Sequence, residues 1–111
     1  MSEKRKVDEL FDLTGHVAVV TGAGRGIGEG IAVAMSEAGA SVVVAARRTE
    51  EIERVANEIN DNGGQALAVT TDVTDDSALE NLANTAVEHF GSLSDWVNNA
   101  GGSPMRMPII D

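Results

Sequence analysis

The run Thr21-Gly22-Ala23-Gly24-Arg25-Gly26-Ile27-Gly28 has the residue types and spacing to hold an anion. It follows the apolar stretch Val17-Ala18-Val19-Val20 and opens a segment with helical periodicity. Strand, glycine turn and helix form the setting in which such a motif carries meaning. Glycine lets the backbone turn sharply and approach a pyrophosphate with no β-carbon in the way, while the free N–H groups of the helix start point at the anion. Three more chemistry-bearing groups follow other apolar runs: the guanidinium pair Arg47-Arg48, the couple Asp72-Val73, and Asn98-Asn99-Ala100-Gly101.

Other chemistries lack material. With no cysteine there is neither a disulfide framework nor a thiolate metal site, and His16 and His89 have no metal-ligand spacing, so no metal is expected. No Lys-Ser or Lys-Thr follows the glycines, which excludes a phosphate-loop nucleotidase. The net charge of −10 opposes nucleic-acid binding, which needs a basic surface. A polyanionic cofactor must then meet locally placed cations, and of the six arginines Arg25, Arg47 and Arg48 fall where a sheet of this kind brings them to it. No apolar run approaches the roughly 20 residues of a membrane span, and the basic start Met1 to Lys6 has no apolar stretch behind it. The chain is expected to be soluble and cytoplasmic.

The elements that must position these residues alternate strictly. Strands are expected at 16–21, 41–46, 66–71 and 93–98. Three amphipathic helices lie between them: one carries Ile27, Ile31, Ala34, Met35 and Ala38, the second Ile52, Val55, Ala56 and Ile59, the third Leu79, Leu82, Ala83, Ala86, Val87 and Phe90. Thr49 reads as the second helix's N-cap, Ser77 with Glu80 fits a capping box on the third, and Gly39, Gly63 and Gly91 close the three helices. Such alternation implies an α/β fold, a Rossmann-like doubly wound parallel sheet. Right-handed crossovers give the strand order 3-2-1-4, and the crevice where that order reverses receives both glycine-bearing motifs. Residues 1–12 are expected to be a flexible lead-in and 13–111 one N-terminal part of a dinucleotide-binding domain.

Thr-Gly-x-x-x-Gly-x-Gly, an acidic-Val pair after the third strand and Asn-Asn-Ala-Gly after the fourth, in this order, resemble the short-chain dehydrogenase/reductase family from about Leu13 to Gly101. The resemblance implies an oxidoreductase that moves hydride between a nicotinamide and a carbonyl or secondary alcohol of a small molecule. It assigns Gly22, Gly26, Ile27 and Gly28 to the pyrophosphate turn, Asp72 and Val73 to the adenine ring, and Asn99, Ala100 and Gly101 to the ribose and nicotinamide side, with Asn98 tying the fourth strand to its neighbours. A plain turn role for Asp72 is the alternative. Cofactor choice follows from charge: an NAD-preferring sheet ends its second strand with an acid for the ribose 2′-hydroxyl, whereas here Ala46 precedes Arg47-Arg48. Guanidinium groups pair with a 2′-phosphate, and Arg25 stands near to help, so NADP(H) is favoured over NAD(H). Arg47 and Arg48 facing Glu50, Glu51 and water is the bland alternative.

The family's proton-transfer site is a tyrosine four residues before a lysine, helped by a serine and an asparagine, all beyond Asn-Asn-Ala-Gly. This chain has no tyrosine, its lysines are Lys4 and Lys6, and Ser92, Ser94 and Ser103 have no partner base nearby. No catalytic residue is expected within it, and alone it should be inactive. Ser94-Asp95-Trp96-Val97 also departs from the family pattern, and Trp96 needs space beside the third helix. With four strands, the outer edge of the fourth would be an exposed apolar ladder inviting homo-oligomers or self-association. Gly102 to Pro108 would begin a loop bordering the substrate pocket. A non-catalytic nucleotide-binding or self-associating half-fold is the competing reading. A methyltransferase is disfavoured by Ala46-Arg47-Arg48, where an acid is wanted.

Overall fold

The computed structural model describes residues 12–99 and the strand 105–108. In chain order the elements are β1 (Val17–Thr21), α1 (Gly26–Glu37), β2 (Ser41–Ala46), α2 (Thr49–Asp61), β3 (Gln65–Thr70), α3 (Asp76–Phe90), β4 (Asp95–Asn98) and β5 (Met105–Pro108). The sheet runs β3-β2-β1-β4-β5. The first four strands are parallel, with Val17 beside Ser41, Ser41 beside Gln65 and Ala18 beside Asp95. This is the 3-2-1-4 order and the Rossmann-like architecture that the alternation implies.

Strands buried on both faces read as continuous apolar runs, because each successive side chain meets a different layer of helices. Ala18 and Val20 of β1 and Val42 and Val44 of β2 join Ala32 and Met35 of α1 and Ile52, Val55, Ala56 and Ile59 of α2. The alternate residues Val19, Val43 and Ala45 pack with Leu82 and Ala86 of α3 and with Leu93. The first cluster holds thirteen buried residues and the second six, so the α3 face is the thinner one, and Val87 stands out from it exposed. Trp96 is half-buried against that second cluster, in the space beside α3 that its size needs.

Two helix starts differ from expectation. The N-cap of α2 is Arg48, and Thr49 is already helical, its hydroxyl paired with that of Thr70 at 2.7 Å. The N-cap of α3 is Asp75. Its carboxylate accepts from the Ser77 amide at 2.9 Å and from the Ala78 amide at 3.4 Å, a stronger acceptor placed two residues before Ser77. Gly39, Gly63 and Gly91 all take positive φ at helix ends, as expected.

The bare β4 edge is the larger correction. β5 pairs antiparallel with β4, Trp96 beside Met107 and Asn98 beside Met105, so the edge expected to drive self-association is covered. A row of unmet N–H and C=O groups is costly to leave open, and a short strand ending in Pro108 is a tolerable outer edge. The latter half of the expected loop, 105–108, is therefore strand. Apart from Asp12, the lead-in lies outside the described residues. No helix among the described residues is long and apolar enough to cross a membrane.

Candidate cofactor site

The glycine turn joins β1 to α1 at the C-terminal edge of the sheet, and its shape requires glycine for two separate reasons. Gly22 and Gly26 have φ of 62° and 61°, a left-handed region that a β-carbon disfavours. Gly28 needs none of that freedom, but a β-carbon on it would stand 2.0 Å from the Gly22 carbonyl oxygen and 2.6 Å from Asn99 Nδ2. The first turn of α1 is therefore packed against the turn that precedes it. Between them Ala23 is fully buried, and its amide donates to Ala45 O of β2 at 3.2 Å.

β4 closes the turn from the other side. Thr21 is buried, and its Oγ1 accepts the Asn99 amide at 3.0 Å while lying 3.2 Å from Asn98 Oδ1. Asn99 Nδ2 donates to Gly22 O at 3.2 Å. The two glycine-bearing motifs thus meet, as their convergence at the crevice predicts, and Asn98 does tie β4 to β1. Ala100 and Gly101 lie outside the described residues.

At the start of α1 the N-cap position is Arg25, in extended conformation and without a side-chain acceptor for the helix amides. The amides of Gly26, Ile27 and Gly28 have no intrahelical acceptor either and carry the positive end of the helix potential, the Glu29 amide being the first to bond, to Arg25 O at 3.4 Å. Arg25 and Ile27 are exposed beside them, Ile27 at 64%. A glycine cradle, an open helix start and a nearby guanidinium form a donor set that fits a pyrophosphate.

The end of β2 supplies the remaining charge. Ala46 is its last residue, and Arg47 and Arg48 follow, both exposed. Arg48 Nη1 lies 3.7 Å from Glu51 Oε2, a loose surface pair. Arg47 acts electrostatically on Asp72, whose carboxyl is held below its usual range first by hydrogen bonds from Thr74 and only then by that positive charge. Asp72 Oδ1 accepts from the Thr74 amide at 3.0 Å and from its hydroxyl at 2.6 Å, and Asp72 O accepts from the Asp75 amide. Its observed bonds are those of the turn leading into α3, with Val73 half-buried next to it.

Sequence reasoning missed Arg54 and Glu29 beside the turn, and the packing of Glu51 on it. Arg54 donates to Gly24 O and to both oxygens of Glu29, and the Glu29 carboxyl is pulled below its usual range chiefly by that hydrogen bond. Glu51 packs on Gly24, where a β-carbon would stand 2.9 Å from Glu51 Cβ. The one local signal was the i,i+4 spacing of Arg54 and Glu58, which are 3.1 Å apart. Among the described residues no group of three or more His, Cys, Asp or Glu is placed to hold a metal ion.

Comparison with known proteins places this geometry. The family model described as short chain dehydrogenase matches residues 16–109. A versicolorin reductase of Emericella nidulans is 50% identical over 92 residues, which make up 82% of this chain and 35% of that protein. The crystal structure of a hydroxysteroid dehydrogenase from Escherichia coli superposes with a TM-score of 0.82 at 43% identity, covering 86% of this chain and 39% of that one. A 7α-hydroxysteroid dehydrogenase solved with NADH and 7-oxo glycochenodeoxycholic acid gives a TM-score of 0.77 at 39% identity, covering 81% and 35%. The chain thus spans well under half the length of these relatives. Because the matched stretch takes in every strand and helix from β1 to β5, the chain belongs to the short-chain dehydrogenase family.

Proposed function

We propose that these residues form the cofactor-binding half of an NADP(H)-dependent oxidoreductase acting on a small-molecule carbonyl or secondary alcohol. The observation that carries this reading is the uncapped start of α1 behind a glycine turn too tight for any β-carbon at Gly28. Gly22, Gly26, Ile27 and Gly28 offer backbone amides to the pyrophosphate. Arg47 and Arg48, with Arg25 across the turn, take the 2′-phosphate, Arg48 turning from its loose partner Glu51. Asp72 and Val73 border the adenine, Asp72 without leaving its turn. Asn99, Ala100 and Gly101 line the ribose and nicotinamide side. Bound there, the cofactor supplies or accepts hydride at its nicotinamide carbon.

Residues 13–111 act as one part of a single dinucleotide-binding domain. Proton transfer belongs to groups this stretch does not contain, since it has no tyrosine and its lysines are Lys4 and Lys6. These 111 residues by themselves therefore bind cofactor and catalyse nothing. The cysteine-free composition suits a cytoplasmic setting. Homo-oligomers would form by a surface other than the covered β4 edge.

NAD(H) is the competing cofactor, favoured by the relative solved with NADH. The absence of an acid at Ala46 and the two arginines after it weigh the other way. Fluorescence titration with NADPH and NADH separates them, with NADPH expected to bind at least about tenfold more tightly. Equal affinities or a preference for NADH would overturn the choice of cofactor. Binding of neither would overturn the cofactor reading and favour the self-associating form of the half-fold.

A further inference from the structure

A glycine turn offers its amides to a phosphate only when its carbonyls point elsewhere, because a carbonyl oxygen facing an anion repels it. Among the described residues two side chains hold carbonyls of this turn. Asn99 takes Gly22 O from the β4 side, and Arg54 Nη2 takes Gly24 O from the α2 side at 3.2 Å. The same guanidinium donates to Glu29 Oε1 at 3.0 Å and Oε2 at 3.2 Å, and to Glu58 Oε1 at 3.1 Å. Glu29 belongs to the first turn of α1. One planar fork on α2 thus grips the middle of the glycine turn and the helix that the turn opens.

Arg54 is 47% exposed, and ion pairs at that exposure contribute little to stability. Their geometry is another matter, because a guanidinium fixes several acceptors at once where a lysine ammonium acts as a point charge. Glu51 packed on Gly24 shows that the turn rests directly on α2, where Arg54 holds it.

We propose that Arg54 is a positioning residue for the cofactor pyrophosphate, holding the Gly24 carbonyl away from the anion and fixing the first turn of α1 while touching no cofactor atom itself. The role rests on the cofactor reading above and deepens it.

The test is titration of Arg54→Gln and Arg54→Lys, in the protein at its full natural length, with NADH, NADPH and adenosine 2′-monophosphate, alongside thermal unfolding. The two dinucleotides carry a pyrophosphate and the monophosphate does not. Arg54→Gln is expected to weaken both dinucleotides about tenfold and Arg54→Lys by less. Adenosine 2′-monophosphate should bind as before, with Tm nearly unchanged. Dinucleotide affinities equal to wild type in Arg54→Gln would overturn the role alone. A parallel loss of all three ligands with a lowered Tm would also overturn it, leaving a structural tie. If the wild type prefers NADH and ignores the monophosphate, the NADH affinity and Tm decide by themselves. A wild type that binds no nucleotide would overturn the cofactor reading and this role together.

Discussion

Helices α1 and α3 begin with the same deficit, amides in the first turn that have no intrahelical acceptor, and they meet it in opposite ways. At α3 the extended Asp75 places its carboxylate on the Ser77 and Ala78 amides and on the Ser77 hydroxyl. At α1 the equally extended Arg25 brings no acceptor, and the acid of that first turn, Glu29, is drawn off to Arg54. An N-cap side chain contributes about 0.5–2 kcal/mol, so α1 forgoes local stability that α3 takes. An open helix start behind a turn packed to β-carbon exclusion is what an anion-binding element needs, whereas a sealed one is what a structural helix needs.

The largest expected effect removes the shape behind the open start. Gly28→Ala puts a β-carbon against the backbone carbonyl of Gly22, which cannot give way as the nearby Asn99 side chain could. Overpacking of this kind costs on the order of 3 kcal/mol, and either the turn opens or the fold yields. Thermal unfolding should fall sharply and nucleotide binding should vanish. Gly30→Ala, two residues along the same helix with nothing within 4 Å, is the control and should stabilise by about 0.5–1 kcal/mol. Similar behaviour of the two variants would mean that helix propensity, not the tight turn, governs this end of α1.

α2 extends the contrast, since its N-cap Arg48 also supplies no acceptor. Arg47→Ala with Arg48→Ala should raise the Kd for NADPH by roughly 10–100-fold and leave NADH within about twofold. Stability should move by no more than about 0.5 kcal/mol, because both side chains are exposed. Equal weakening of the two dinucleotides would remove the 2′-phosphate role and leave only a general attraction for anions.

Converting one helix start into the other is a sharper test. Arg25→Asp gives α1 the kind of cap that α3 has, and should raise stability by about 1 kcal/mol. The same carboxylate would occupy the amides and repel a pyrophosphate, so NADH and NADPH should both weaken at least about tenfold. Higher Tm with unchanged affinity would show that those amides do not meet the cofactor.

The contrast between the two starts was only partly legible in the sequence. Gly22, Gly26 and Gly28 after an apolar strand revealed the turn, because the shape it needs excludes other residues. The parallel order was readable because β1, β2 and β3 each carry an apolar run and the helices between them each have one apolar face. The cap of α3 was misplaced from Asp75 to Ser77, since Asp75-x-Ser77 and Ser77-x-x-Glu80 both satisfy the local chemistry and only the backbone chooses between them. β5 escaped notice because Met105-Arg106-Met107-Pro108 is short, ends in proline and owes its form to pairing with β4. Arg54 escaped for a related reason: its partners Gly24 and Glu29 are brought to it by tertiary packing, which no local pattern records.

The smallest effect lies at the sealed start. The Asp75 carboxyl is held below its ordinary value near 3.8, first by the Ser77 hydroxyl and then by the Ala78 and Ser77 amides. A carboxyl depressed in the folded state contributes stability that is present above the unfolded value and lost as pH falls through the folded one. Asp75→Asn keeps an oxygen acceptor for the same amides but does not titrate. At neutral pH its Tm should lie slightly below wild type, because the ionised carboxylate is the better acceptor. As pH falls below about 4 the wild type should lose stability faster than the variant, so their melting curves draw together or cross. Asp12 and Asp72, lowered by Thr14 and Thr74, add an acid-sensitive background to both proteins, so the informative quantity is the difference between them. Arg25→Asp should acquire the acid sensitivity that Asp75→Asn loses, since the property belongs to a carboxylate sealing a helix start. A difference between Asp75→Asn and wild type that stays constant from pH 7 to about 2 would show that the ionised form of Asp75 adds nothing a neutral cap does not.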